Sequence, residues 1–363
     1  MSNYQPRIPP VPALNLLARV RDRLVGMHRR TMLPSVVMLE IMQAGLLAQV
    51  LGATAELGVA DALADGPLAA DELARRLGVR PDALVRLLRP LVAEGMFSQH
   101  QDTYALTALG DPLRGDAANS MRAGVRMFGD PRHRAMWSHL AQVVRTGATG
   151  AESVHGAPIF EYARQQPCFG ALIDAAMTDF SELAVAPILA AYDFARYDTI
   201  VDIGGGKGRL LTEILTRAPR SRGVLFDTAE VLADVPARLA ALGLDDRCEV
   251  HSGCFFEAVP EGGDAYILKH VIHDWLDPQA AELLSTVRAA IPSSGRLLLI
   301  EVVLPETTRR TMGNLLDLEM LVVTGGRERT EREYRKLLSA SGFELLRRVD
   351  TGTPDSMLEA RPC

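Results

Sequence analysis

The chain has 363 residues, of which 48% are hydrophobic and 23% are charged. This length favours two domains, and this composition excludes a chain that is disordered throughout. The formal net charge of −6 argues against a general affinity for nucleic acid, because such an affinity requires a basic surface.

The chain start and the cysteines favour a cytoplasmic protein. Residues 1–12 are rich in proline and polar residues and lack the apolar stretch of a signal peptide, so they predict a flexible tail. No two of the four cysteines have Cys-x-x-Cys spacing, which indicates neither a zinc site nor a disulfide framework and favours a reducing compartment. The most apolar stretch, 36–64, is interrupted by acidic and amide residues and predicts amphipathic helices rather than a membrane span.

Residues 13–195 predict a helical region, because long apolar-periodic runs dominate them. Helices over 71–78 and 80–89, followed by a short β-ribbon within 94–107, form a winged-helix pattern. Pro90 is expected to end or kink the second of these helices.

The hydrophobic pattern changes after about Tyr197, where short apolar runs alternate with helical stretches. These runs lie at 199–203, 223–226, 248–251, 265–268 and 296–300. Near-continuous apolar strands joined through helices predict a parallel sheet covered on both faces. Two later strands, 343–349 and 356–360, predict an antiparallel edge. This half is therefore predicted to be a doubly wound α/β domain.

A glycine-rich turn, Val-Asp-Ile-Gly-Gly-Gly-Lys-Gly over 201–208, follows the first strand. A dinucleotide site needs Gly-x-Gly-x-x-Gly, but Arg209 stands where the last glycine should be. Asp202 would repel a pyrophosphate and suits the cationic amino-acid end of a sulfonium cofactor. Asp227, just past the second strand, is placed to bind ribose hydroxyls. The alternative is a plain tight turn with Asp227 as a helix cap, but the combination favours a nucleoside cofactor.

His273, at the carboxyl end of the fourth strand, is a candidate general base, because an ordinary pKa of about 6.5 suits proton removal at neutral pH. Glu301 closes a buried strand, where a carboxylate requires a partner. Glu328 precedes a helix whose expected capping box, Thr330 with Glu333, does not use it. A carboxylate bonded to a histidine fixes the histidine tautomer. The alternative is a structural histidine beside a capping loop.

Two methionines, Met177 and Met320, flank the cofactor-binding half in sequence. Thioether–aromatic contacts suit a flat ring substrate, although ordinary core methionines are the alternative.

These motifs together resemble the small-molecule O-methyltransferases that use S-adenosylmethionine, a family with plant caffeate-type, acetylserotonin and bacterial antibiotic-tailoring members. The motifs that carry the resemblance are the glycine turn, Leu-Phe-Asp227, Lys269-x-x-x-His273-Asp274-Trp275, Glu301 and Gly-Gly-Arg-Glu328-Arg-Thr. The resemblance implies a Rossmann-like domain with a mixed seven-stranded sheet over 196–363. It also implies a winged-helix-like dimerisation domain over 13–115, a helical linker over 116–195 that lines the substrate pocket, and a homodimer.

The resemblance also assigns roles. His273 is the catalytic base, bracketed by Glu301 and Glu328, and no metal is needed because the base replaces a Lewis acid. The residues implied to bind the cofactor are Asp202, Gly204, Gly205, Gly206, Gly208, Asp227, Cys254, Phe255 and Lys269. The residues implied to contact the aromatic acceptor are Met177, Met320, Phe160, Trp137 and Asp274.

One departure from the family pattern concerns adenine. The family usually has Gly-Asp-Phe-Phe or Gly-Asp-Met-Phe after the third strand, and its aspartate reaches the adenine amino group. Here the sequence is Gly253-Cys254-Phe255-Phe256. A thiol accepts hydrogen bonds poorly, so we expect weaker cofactor binding or a substitute acceptor.

The predicted function is O-methylation of a phenolic or similar hydroxyl on an aromatic small molecule of secondary metabolism. Two alternatives stay open. One is the same fold with N- or C-methylation or another reaction. The other is a DNA-binding regulator that uses the winged helix, against which the predicted recognition helix, 82–89, carries only Arg86 and Arg89. Neither nucleic acid nor a membrane is an expected partner.

Overall fold

The computed structural model describes residues 11–363, without the side chain of Asn15. Residues 1–10 of the predicted tail lie outside the described residues. The tail prediction is wrong for residues 11 and 12, because Val11 begins the first helix. Pro12 is tolerated there, since the N–H groups of a first helical turn have no partner within the helix.

The described chain forms helices and strands that alternate in its second half. The helices are α1 (Val11–Arg30), α2 (Pro34–Leu57), α3 (Val59–Ala62), α4 (Ala70–Leu77), α5 (Pro81–Ala93), α6 (Arg122–Gly129), α7 (Pro131–Ser138), α8 (Leu140–Thr146), α9 (Gly150–His155), α10 (Ile159–Gln165), α11 (Pro167–Ala191), α12 (Arg209–Arg217), α13 (Ala229–Leu232), α14 (Val235–Leu242), α15 (Asp277–Ala290), α16 (Gly313–Val323) and α17 (Glu331–Ala340). The strands are β1 (Leu68–Ala69), β2 (Phe97–His100), β3 (Thr103–Leu106), β4 (Thr199–Ile203), β5 (Arg222–Asp227), β6 (Cys248–Ser252), β7 (Ala265–Lys269), β8 (Arg296–Leu304), β9 (Arg329–Thr330), β10 (Phe343–Asp350) and β11 (Asp355–Pro362). Short 3-10 turns lie at Asp111–Leu113 and Ile272–Asp274.

The chain divides into two compact units. The helical unit comprises residues 23–141 and 152–183, and the sheet unit comprises the described residues up to 22 together with 142–151 and 184–363.

The helical unit contains the winged-helix pattern. Helices α4 and α5 lie between β1 and the β2–β3 hairpin in the chain, and the three strands form a ribbon in the order β1-β3-β2, in which both pairings are antiparallel. Leu73, Leu88 and Phe97 are almost fully buried in its core. Pro90 does not end α5, which continues to Ala93, so the prediction that the helix ends there is wrong. The hydrogen bond lost at Pro90 is offset because Leu88 and Leu91, on either side of it, are fully buried.

Helix α2 of the same unit is apolar nearly all round rather than amphipathic, which corrects the sequence prediction. Its exposed side carries Met38, Leu39, Ile41, Met42 and Leu46. By length and composition alone, α2 could cross a membrane. An apolar surface of this size on a folded unit indicates a covering partner of some kind.

The sheet unit confirms the predicted α/β class. Its main path of seven strands has the order β10-β11-β8-β7-β4-β5-β6, and the two-residue strand β9 pairs with β8 as an eighth that the sequence did not predict. The run from β8 to β6 is parallel, whereas β11 is antiparallel to both β8 and β10. Alternate residues of β4, β7 and β8 pack into cores on opposite faces, with Val201, Leu268 and Leu299 on one face and Ile200, Ile267 and Leu298 on the other.

The topology brings several chain segments to one edge of this sheet. Parallel strands β4, β5, β7 and β8 all end there, because their carboxyl ends lie side by side. Strand β11 runs the other way and therefore begins at the same edge, with Asp355 opposite Val302. The candidate site lies at this edge.

Candidate active site

The glycine turn joins β4 to α12 through backbone that side chains would obstruct. Gly204, Gly206 and Gly208 have φ values of +66°, +59° and +73°, a left-handed region that favours glycine. A Cβ on Gly205 would lie 2.7 Å from Cγ of Asp202. A Cβ on Gly206 would meet nothing within 4 Å, so the turn leaves open space at Gly206 where a ligand can approach the backbone.

Asp202 and Asp227 flank this turn in different ways. Asp227 accepts hydrogen bonds from the backbone N–H groups of Gly206 at 2.8 Å and Thr228 at 2.7 Å, so it orders the turn. Asp202 is buried, and its Oδ2 has no hydrogen-bond partner among the described residues. Burial raises the pKa of Asp202 to about 7, the Lys269 ammonium opposes this rise, and Asp227 adds to it. An unpartnered buried carboxylate oxygen beside open backbone fits the cationic amino-acid group of a sulfonium nucleoside.

Lys269 ends β7 among acidic groups. Burial lowers the pKa of Lys269, and Asp355, Asp202 and Glu301 oppose that change. Three carboxylates from three different strands therefore favour the charged form of this lysine.

Cys254 and Phe255 follow β6. The N–H of Gly253 donates to the carbonyl of Asp227 at 3.0 Å, which brings this segment beside the end of β5. The thiol of Cys254 is exposed. The ring of Phe255 packs edge-on against Phe256 and Trp275, at centroid distances of 4.9 and 6.1 Å. The position of the Phe255 ring is thus fixed by its contacts with two other aromatic rings.

The segment 270–274, called the histidine turn here, leaves β7 through a left-handed residue. His270 has a φ of +54°, which costs a non-glycine residue about 1 kcal/mol or more. Its N–H still donates to the carbonyl of Ile300 at 3.0 Å. Glu301 Oε1 then accepts from the N–H groups of Val271 at 3.2 Å and Ile272 at 2.8 Å. Glu301 therefore holds the backbone of the turn.

A second segment, 325–330, closes over the histidine turn. A Cβ on Gly326 would lie 2.0 Å from the carbonyl oxygen of His273, and the N–H of Arg327 donates to that oxygen at 2.8 Å. The guanidinium of Arg329 is buried and donates to the carbonyls of Ile272 at 3.2 Å and Trp275 at 2.8 Å. It also pairs with Asp277 at 2.8 Å.

Gly326 and Arg329 support the site but are not among the residues predicted for it from the sequence. A signal was present, because a glycine pair and an arginine beside Glu328 precede a well-capped helix. The predicted capping box of Thr330 and Glu333 is present in the structure.

His273 lies at the centre of a buried acidic cluster. Its Nδ1 is 2.8 Å from Glu328 Oε1 and 3.6 Å from Glu301 Oε2, while its Nε2 is 4.0 Å from Asp274 Oδ1. Because a carboxylate only accepts, Nδ1 donates to Glu328, and Nε2 is the atom left to take a proton. One ring nitrogen of His273 and one carboxylate oxygen each of Glu301 and Glu328 lie within 4.8 Å of one another, a grouping that could hold a metal ion.

The charges of this cluster depend on one another. Burial lowers the pKa of His273, but Glu301 and Glu328 outweigh it and raise the pKa to about 10. Burial raises the pKa of Glu301 to about 8 and that of Asp274 to about 6, while His273 opposes both changes. Glu301 Oε2 and Glu328 Oε2 have no hydrogen-bond partner within residues 11–363. The cluster therefore stabilises the protonated form of His273, which is the form that proton transfer to its ring would produce.

The predicted acceptor-contacting residues lie in both units. Trp137, Phe160 and Met177 lie on α7, α10 and α11 of the helical unit. Phe160 and Met177 expose 47% and 48% of their surface, so Met177 is not an ordinary core methionine in this chain. In the sheet unit, Met320 on α16 is buried, and its sulfur lies 4.0 Å from Oγ1 of Thr324.

The close approach at Gly326 generates a prediction. In Gly326→Ala the new Cβ must displace the carbonyl of His273, so the free energy of unfolding should fall by about 1–3 kcal/mol. Backbone amides of the histidine turn should also exchange with solvent faster. Chemical denaturation and hydrogen exchange measure the two effects. Gly26→Ala on α1 is the control, because its Cβ would meet nothing within 4 Å. An equally stable Gly326→Ala with unchanged exchange would contradict the prediction.

Comparison with known proteins confirms the resemblance. The O-methyltransferase domain family matches residues 137–344, and the O-methyltransferase dimerisation domain matches residues 39–114. The phenazine O-methyltransferase of Lysobacter antibioticus is 38% identical over 329 residues, which are 90% of this chain and 96% of that protein. The O-demethylpuromycin-O-methyltransferase of Streptomyces alboniger is 40% identical over 87% of this chain and 86% of its own.

Two further comparisons concern a relative that is named for methylating nitrogen and a relative whose structure has been solved. The 8-amino-8-demethylriboflavin N,N-dimethyltransferase of Streptomyces davaonensis is 37% identical over 87% of this chain and 92% of its own. The crystal structure of human N-acetylserotonin methyltransferase in complex with S-adenosylmethionine superposes with a TM-score of 0.84 at 27% identity, covering 91% of this chain and 98% of that chain. The chain therefore belongs to the O-methyltransferase family and is an S-adenosylmethionine-dependent methyltransferase.

Proposed function

We propose that this enzyme methylates a phenolic or similar hydroxyl on an aromatic small molecule of secondary metabolism, with His273 as the general base and without a metal. The observation that carries this proposal is the bond between His273 Nδ1 and Glu328, which leaves Nε2 as the proton acceptor at the sheet edge. The names of the relatives support the acceptor class, since they mention a phenazine and O-demethylpuromycin.

The residues of the chain divide the work between binding and proton transfer. The glycine turn (Gly204, Gly205, Gly206 and Gly208) with Asp202, Asp227, Cys254, Phe255 and Lys269 is proposed to hold the cofactor. Bound S-adenosylmethionine supplies a methyl group made electrophilic by its sulfonium. The neutral ring of His273, which the raised pKa of about 10 makes the minor form at pH 7, takes the hydroxyl proton at Nε2. Glu328 and Glu301 compensate the charge of the resulting imidazolium. Holding the reactants at attack distance can contribute about 7–11 kcal/mol to catalysis.

The acceptor is proposed to contact Trp137, Phe160, Met177, Met320 and Asp274. The half-exposed apolar surfaces of Phe160 and Met177 are suited to a flat ring. An N-methylating relative keeps an amine acceptor as the second candidate. A base whose pKa is raised by two carboxylates favours the hydroxyl, because a phenol must lose a proton to become a strong nucleophile and a neutral amine need not.

The role of His273 is tested by replacing it. A panel of aromatic hydroxyl and amine compounds, assayed by mass spectrometry for the gain of one methyl with and without a chelator, first identifies the acceptor and the methylated atom. On that acceptor, His273→Asn should lower kcat by about 10²–10⁴-fold and leave cofactor affinity unchanged in calorimetry. His100→Asn, an exposed position on β2, is the control. Unchanged turnover in His273→Asn, or loss of activity with the chelator, would contradict the proposal.

The cofactor role of Asp202 has a readout that does not depend on catalysis. Asp202→Asn removes the charge of the unpartnered Oδ2 and should weaken binding of S-adenosylmethionine by about 10–100-fold, the usual effect of losing a hydrogen bond to a charged group. Isothermal titration calorimetry measures this change. Asp198→Asn, exposed at the opposite end of β4, should bind normally. Equal affinities for the two variants would remove Asp202 from the proposed site.

We further propose that the enzyme is a cytoplasmic homodimer, joined through a dimerisation domain over 13–115, with neither nucleic acid nor a membrane as partner. The exposed apolar side of α2 lies within the matched dimerisation segment and is suited to a second copy. The cysteines Cys168, Cys248, Cys254 and Cys363 are free thiols, as in a reducing compartment.

This assembly is tested by Met42→Glu combined with Leu46→Glu, which places charges on the exposed apolar side of α2. The double variant should sediment as a monomer while the unchanged chain sediments as a dimer, because burying unpaired charges costs several kcal/mol. Gln99→Glu on the exposed ribbon is the control. A monomeric unchanged chain that floats with phospholipid vesicles would assign α2 to a membrane and overturn the homodimer.

A further inference from the structure

A second histidine in the histidine turn takes no part in the proposed proton transfer. His270 directly follows β7 and lies three positions before His273 in the sequence. Its backbone is left-handed. Among the non-glycine residues of 11–363, only Gln101, in the β2–β3 turn, also has a positive φ. Gln101 stands in a surface hairpin, where such conformations are common. At the sheet edge the same strain requires contacts that hold it.

Those contacts come from Asp355 at the start of β11. His270 Nε2 lies 2.8 Å from Asp355 Oδ1, and Asp355 is 5% exposed. The loop before β11 fixes this aspartate, because Thr351 Oγ1 donates to its carbonyl at 2.6 Å and its N–H donates to Thr353 Oγ1 at 3.2 Å. Since the carboxylate only accepts, His270 Nε2 donates, and the tautomer of His270 is set.

The ring of His270 is stacked on the ring of His273. Their centroids are 5.2 Å apart, and their planes differ by 21°. The charged groups that face His270 are Lys269, Asp355 and His273 itself, while Glu301, Glu328 and Asp274 face His273. Burial and the Lys269 ammonium lower the pKa of His270 against the opposing effect of Asp355, so His270 stays neutral when His273 carries a proton.

We propose that His270, anchored by Asp355, is a positioning residue that holds the ring plane of His273 and so keeps Nε2 aimed at the acceptor hydroxyl. This inference rests on the proposed function of His273. Glu328 holds the His273 ring at Nδ1, but a single hydrogen bond between two side chains still permits small coupled rotations about the Cα–Cβ and Cβ–Cγ bonds of His273. A stacked neighbour on the ring face restricts these rotations. Small misplacements of a reacting group cost up to about 10²-fold in rate.

The test is a double-mutant cycle in which kcat and KM are measured separately for each variant. His270→Ala and Asp355→Ala should each lower kcat by about tenfold, with KM for the aromatic acceptor within about twofold of the unchanged enzyme. The double variant should be no slower than the slower single variant, because both changes release the same ring. Asp355→Asn should restore kcat to within about threefold, since its amide oxygen can still accept from Nε2.

The control is Asp350→Ala, an exposed aspartate of the same hairpin that pairs with Arg348 and should leave kcat unchanged. Losses that multiply in the double variant, or an Asp355→Asn enzyme as slow as Asp355→Ala, would overturn the positioning role. A rise in KM with unchanged kcat would overturn it as well. Failure of the proposed function is recognised separately, because an active His273→Asn enzyme would remove the base whatever these variants do.

Discussion

The hydrogen bond from His273 Nδ1 to Glu328 is the interaction on which the rest of the site depends. A buried imidazole with two buried carboxylates is costly unless the groups satisfy one another, and removing one partner of such a pair typically costs about 3–5 kcal/mol. The bond decides which nitrogen accepts a proton. It also requires the chain to hold Glu328 and His273, which are 55 residues apart, in one fixed geometry.

That geometry is maintained through the backbone of the histidine turn. Glu301 accepts two of its N–H groups, and the guanidinium of Arg329 binds the carbonyls of Ile272 and Trp275. Gly326 permits the closest approach, where any side chain would collide with the carbonyl of His273. Glu301 thus serves two purposes, since it both orders the turn and raises the pKa of His273.

On the proposed cofactor side, one acid orders the backbone of the glycine turn and another is left with an unpartnered oxygen. Asp227 is largely used to order the glycine turn, whereas the buried Oδ2 of Asp202 has no partner among the described residues. The exposed thiol of Cys254, at the position where the family has an aspartate, removes a charged acceptor from this side. Cofactor binding is therefore expected to rely more heavily on Asp202 and on the ring of Phe255.

The sequence by itself determined the features that are local in the chain. Apolar runs of four or five residues marked the parallel strands, the failed dinucleotide pattern at Arg209 excluded one cofactor class, and His273, Glu301 and Glu328 each stood at a strand or loop end that the structure brings together. Tertiary structure alone decided the rest. Asp355 reaches His270 across 85 residues because β11 runs antiparallel to its neighbours, and no local pattern encodes that pairing. Pro90 remains inside α5, and α2 exposes an apolar side, because burial and partner surfaces outweigh local preference. Local patterns set where chain elements begin and end, whereas the contacts between distant segments arise only when those elements pack.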